Sequence, residues 1–64
     1  MLNIAEKRKA KKLTQAELAQ LLGVSQRAVA AYELHERRPS VQIAKKMGAI
    51  LDYDWPEIYE EDET

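Results

Sequence analysis

The sequence contains no cysteine, one histidine, two prolines and two glycines. Without cysteine there is neither a disulfide framework nor a thiolate metal site, which fits a reducing cytoplasm. A metal site on His35 would need several carboxylate partners, so no metal is expected, and no cofactor or small-molecule ligand is indicated. Apolar runs are only a few residues long, against about 20 for a membrane span. The opening MLNIAEKRKA lacks the apolar stretch of a signal peptide. No alternating β-branched run and no Asn-Gly or Asp-Gly pair marks a hairpin. Catalysis has no support, because there is no histidine and acid paired at helical spacing and no glycine-rich phosphate loop. These absences leave a small, cytoplasmic, all-α protein that is not an enzyme.

Sixty-four residues suffice for one domain. A domain this short buries only about 60% of the surface it exposes when unfolded, so self-association would help it. The net charge of −1 conceals a division of charge. All ten Lys and Arg lie in residues 1–51, against Glu6, Glu17, Glu33 and Glu36, a formal +6. Residues 52–64 carry seven acids and no base, a formal −7. Fields act within about 10 Å at moderate salt, so the basic body can meet a polyanion while the acidic end points elsewhere.

Local signals place five short helices. Asn3 with Glu6 opens the first, which runs to about Lys11. Thr14 with Glu17 forms a capping box for the second, whose apolar stripe is Leu18, Leu21 and Leu22. Gly23 is free to take the left-handed conformation that ends a helix. Ser25 caps a third helix to about Leu34, with Val29 and Tyr32 inward, and Pro39 and Ser40 open the fourth. There Ile43, Ala44, Met47, Ile50 and Leu51 recur at helical spacing. Asp54 and Glu57 frame a fifth around DWPEIY, with Pro56 in its first turn. The domain is set at residues 1–59, and 60–64 read as a frayed acidic tail.

Residues 15–34 meet the requirements of a helix-turn-helix together. Ala19 is small where two helices would cross, Gly23 makes the turn, and Val24 plugs it. Leu18, Leu22, Val29 and Tyr32 hold the pair on a core. With Arg8, LTQAELAQLLGVS at 13–25, YE at 32–33, RRPS at 37–40, DW at 54–55 and Leu51, the chain resembles the lambda-repressor-like (Cro/C1 or xenobiotic-response-element type) helix-turn-helix family. The resemblance covers about residues 4–58 and implies a compact five-helix DNA-binding domain.

It also implies roles. Gln26 and Arg27 at the start of the recognition helix become the leading base readers. The chemistry agrees, since Gln can pair bidentately with adenine and Arg with guanine. Ala30 and Ala31 share the exposed face and can pack on a thymine methyl. Gln15, Ser25, Arg37 and Arg38 are the expected phosphate contacts, which set register and affinity but not sequence preference. Arg8 and Glu33 match an ion pair joining the first helix to the recognition helix. Trp55, Ile58 and Tyr59 are the candidate dimer surface. Four positions depart from the family pattern: His35 and Asp52 replace frequent glycines, Lys7 a common apolar residue, and Glu36 adds a negative charge near the phosphate loop.

The expected function is a sequence-specific regulator of transcription, repressor-like and homodimeric, on double-stranded DNA. The alternative is a protein-interaction module on the same fold, an antirepressor or antitoxin component. Its docking patch would be Ala30, Ala31 and Leu34.

Overall fold

Four short polar side chains set where the helices begin. The computed structural model describes residues 3–56. It forms α1 (Ile4–Ala10), α2 (Gln15–Leu22), α3 (Gln26–Glu33) and α4 (Val41–Leu51). Each start lacks partners for its first backbone N–H groups, and a side-chain oxygen supplies one. Asn3 Oδ1 accepts from the Glu6 amide at 3.0 Å, Ser25 Oγ from Ala28 at 3.1 Å and Ser40 Oγ from Ile43 at 3.2 Å. At α2 the exchange is reciprocal. Thr14 Oγ1 accepts from the Glu17 amide at 3.0 Å while Glu17 Oε1 accepts from the Thr14 amide at 2.8 Å.

The four helices also end alike. Lys12, Gly23, His35 and Asp52 all take positive φ, and the residue after each folds its N–H back onto the last turn. Leu13 donates to the Arg8 carbonyl at 3.2 Å, Val24 to Ala19 at 3.0 Å, Glu36 to Ala31 at 2.9 Å and Tyr53 to Gly48 at 3.0 Å. This satisfies carbonyls that the helix leaves open. Only one of the four is glycine. A left-handed conformation costs a residue with a Cβ about 1 kcal/mol, less for Asp, whose short side chain tolerates it. Lys12→Gly is therefore expected to raise stability by about 0.5 kcal/mol, since glycine's extra freedom in the unfolded chain offsets part of the relief. That is a few degrees in the thermal midpoint of so small a domain. A midpoint that stays put or falls would show that Lys12 carries no strain.

Ile4, Leu18, Ala19, Leu22, Ala28, Val29, Tyr32, Ala44, Met47 and Leu51 make one buried cluster to which every helix contributes. The most extensive contact is α2 on α3; α1 also packs on α3, and α2 on α4. Ala19 and Ala28 are both buried, and their size permits that close approach. Leu21 corrects the expected stripe, being 55% exposed. At about 100° per residue it lies nearly a third of a turn from the centre of the arc formed by Leu18, Ala19 and Leu22.

The expectation of a fifth helix is also corrected: the described residues form four α-helices. After α4 the chain turns at Asp52, and at the expected start of the fifth helix Trp55 and Pro56 take 3₁₀ geometry; its residues 57–59 lie outside the described residues. Trp55 packs against the core cluster. Gly48 makes room for that return. A Cβ there would meet the Tyr53 carbonyl oxygen at 2.8 Å, Trp55 Cβ at 2.9 Å and Trp55 N at 3.2 Å. The expected tail, 60–64, lies outside the described residues.

Candidate nucleic-acid interface

The outward end of α3 follows from its sequence. Ala28, Val29 and Tyr32 turn inward and are buried, which leaves Gln26 and Arg27 exposed on the first turn. Ser25, also exposed, caps that turn, and its hydroxyl proton remains free to donate because the cap uses only the oxygen. No acidic side chain lies in the first turn of α3. The helix N-terminus and the Arg27 guanidinium thus present positive charge together.

Ala30 and Ala31 are half-buried and do not share a fully open face. Leu34, just beyond them, is 66% exposed. Arg37 and Arg38 are exposed on the segment between α3 and α4, as is Glu36, while Pro39 between them and Ser40 is buried. Trp55 is half-buried on the core cluster, with the Lys45 ammonium 5.5 Å from its ring centroid. The other two dimer candidates, Ile58 and Tyr59, lie outside the described residues.

A polar cluster joins α1, the turn after it and the start of α2 to the end of α3. Arg8 on α1 is 9% exposed, and its Nε lies 2.6 Å from Glu33 Oε2 at the end of α3. Its Nη2 approaches Glu33 Oε1 at 3.5 Å, and its Nη1 donates to the Leu13 carbonyl at 2.8 Å. The guanidinium fork thereby links α1, the α1–α2 turn and α3, a geometry that a lysine ammonium could not reproduce. Gln15, the first residue of α2, joins the cluster by donating from Nε2 to Glu33 Oε1 at 2.9 Å.

Arg8, Glu33 and Gln15 are therefore directly bonded, and Ser25, Gln26 and Arg27 form a second group at the start of α3. Sequence reading missed the Gln15–Glu33 bond and the Leu13 carbonyl. Neither had a signal: one partner is backbone, and the other pair is 18 positions apart with no shared helix. Among the described residues no group of three or more His, Asp or Glu could hold a metal, and no helix is long and apolar enough to cross a membrane.

Comparison with known proteins agrees with this geometry. A family model described as helix-turn-helix matches residues 4–58. The chain is 42% identical over 50 residues to YqaE of Bacillus subtilis (strain 168), an uncharacterized HTH-type transcriptional regulator. The match takes in 78% of this chain and 43% of the relative, so the chain spans less than half of that protein's length.

Proposed function

The chain belongs to the helix-turn-helix family of transcriptional regulators, not to an enzyme family, and from that premise we propose that it is a sequence-specific, double-stranded DNA-binding regulator acting in the cytoplasm. One observation carries the reading: Gln26 and Arg27 stand exposed on a capped, acid-free helix start, held by packing on α2 and by the ion pair to α1. In this role α3 enters the major groove, where Gln26 and Arg27 meet base edges. Gln15, Ser25, Arg37 and Arg38 grip phosphates on either side. Ala30 and Ala31 add apolar contact, and the sparse polar set on α3 leaves part of the selectivity to DNA shape.

A homodimer joined through Trp55, Ile58 and Tyr59 would set two recognition helices about 34 Å apart, one turn of DNA. Bound across a promoter, such a dimer acts by excluding polymerase, as a repressor.

The test is selection of a randomised duplex pool on the purified protein, then a salt titration of the enriched sequence. A palindrome whose affinity falls steeply with salt is the expected result. Arg27→Ala should then cost about 1–3 kcal/mol and relax preference at one position of each half-site. Equal binding of selected and scrambled duplexes by the unaltered chain would defeat the reading. A protein-docking role has one observation in its favour, the exposed Leu34 beside two half-buried alanines. It predicts the opposite pattern, with Ala30→Glu abolishing a protein complex that Arg27→Ala leaves intact.

A further inference from the structure

The bond between Gln15 and Glu33 has a directional consequence. A carboxylate only accepts hydrogen bonds, so the atom of the Gln15 amide that faces Glu33 Oε1 at 2.9 Å must be its nitrogen. That nitrogen carries two hydrogens, and the carboxylate takes one. The second is left pointing away from Glu33, on a half-buried side chain at the N-terminal end of α2. An unattached glutamine would sample many rotamers and lose that freedom on binding. Here the loss has already been incurred in the fold.

Charge raises an objection to this arrangement and also answers it. A bare carboxylate next to Gln15 would repel a phosphate. Arg8 places its Nε 2.6 Å from the other carboxylate oxygen, and both side chains are largely out of water, where screening is weak. The pair is close to neutral as seen by an incoming anion, and the guanidinium is itself held by the Leu13 carbonyl.

We propose that Glu33 is a positioning residue for DNA: it holds one N–H of the Gln15 amide so that the other meets a backbone phosphate, and Arg8 cancels the charge that phosphate would otherwise face. The inference rests on the DNA-binding reading above and adds to it a device linking the end of the recognition helix to the grip of α2.

The experiment begins with the unaltered chain, labelled with nitrogen-15. The two side-chain amide protons of Gln15 should be widely separated in shift, unlike those of the exposed Gln20 and Gln42. Addition of a short random-sequence duplex at low salt should move one Gln15 proton and leave the other in place. Because phosphate contacts are independent of sequence, no operator is needed.

A double-mutant cycle gives the energetic side. Gln15→Ala should weaken duplex binding by about threefold to tenfold, as loss of one hydrogen bond implies. In the Glu33→Gln background the same change should cost under about twofold. The amide there retains a single acceptor, which Arg8 holds, and Gln15 must turn its oxygen inward. If Glu33→Gln does not fold, the two proton shifts of the unaltered chain decide the matter. Equal costs in both backgrounds, or a Gln15 amide resembling those of Gln20 and Gln42, overturn the positioning role and leave DNA binding standing. No duplex binding by the unaltered chain overturns both.

Discussion

Glu33→Ala is expected to leave the chain largely unfolded at room temperature. The substitution removes the acceptor of the Arg8 Nε bond at 2.6 Å and of the Gln15 bond at 2.9 Å. It leaves the charge of Arg8, a residue 9% exposed, with the Leu13 carbonyl as its remaining partner in this cluster. Removing one member of a buried pair typically costs about 3–5 kcal/mol, most of it the penalty of the charge left behind. A chain of this length has about 3–10 kcal/mol in all, so the loss takes at least about a third of its stability and, in the lower half of that range, most or all of it. A urea titration followed by helical circular dichroism should show little or no folded baseline.

The pairwise replacement separates the buried charge from the packing. Arg8→Met combined with Glu33→Leu strands no charge, and it should recover most of the lost stability. By the positioning argument it should not recover phosphate affinity, since Gln15 is then unanchored. A Glu33→Ala chain with an unchanged urea midpoint would mean that the pair is an ornament of the surface and does not tie α3 to α1.

The ion pair also shows where sequence reading stops. Arg8 and Glu33 were matched only through a family resemblance, because nothing local relates residues 25 positions apart. The caps were legible from the residues themselves. Asn3, Thr14, Ser25 and Ser40 each bond an amide three residues on, and an interaction of that range is written in the sequence as a spacing. Gly23 was legible for a related reason, since a glycine between two amphipathic stretches has few other uses.

The opposite ends of the helices were less readable. Lys12, His35 and Asp52 adopt left-handed backbone without glycine, because the packing of the segment that follows each dictates where the chain must turn. Leu21 was misplaced for a geometric reason: a helix of eight residues is too short for its apolar arc to be centred from the pattern alone. The fifth helix is not among the four α-helices of the described residues: Asp54 and Pro56 carry the local signals of a helix start, yet Trp55 and Pro56 take 3₁₀ geometry. The base-reading roles of Gln26 and Arg27 are what the family resemblance implies, in agreement with their chemistry, and the duplex selection tests them.

Gly48→Val is expected to release the segment after α4. In the middle of a helix a glycine reads as a weak point, costing about 1 kcal/mol against alanine. The structure gives it a different meaning. The atoms that a new Cβ would meet, the Tyr53 carbonyl oxygen at 2.8 Å, Trp55 Cβ at 2.9 Å and Trp55 N at 3.2 Å, are backbone or next to it. None is the far end of a flexible side chain, so the segment itself must shift. Valine adds two methyl groups to that clash, and overpacking of this kind costs about 1–3 kcal/mol, sometimes more. Tyr53 and Trp55 would lose their seat on the core, and Lys45 its ring partner.

Gly48→Ala is the informative control, since its gain in helix propensity of about 1 kcal/mol opposes the clash. It should fall between the parent and valine in thermal midpoint. Trp55 is the only tryptophan, so emission reports its exposure without ambiguity. A red shift in Gly48→Val, with helical dichroism largely kept, is the expected signature of a detached segment on an intact bundle. Unchanged emission and midpoint would show that the return of the chain over Gly48 contributes nothing. Trp55 also belongs to the proposed dimer surface. Sedimentation of the same variant should therefore show weaker self-association, and its affinity for the selected duplex should fall although none of the proposed DNA contacts has been touched.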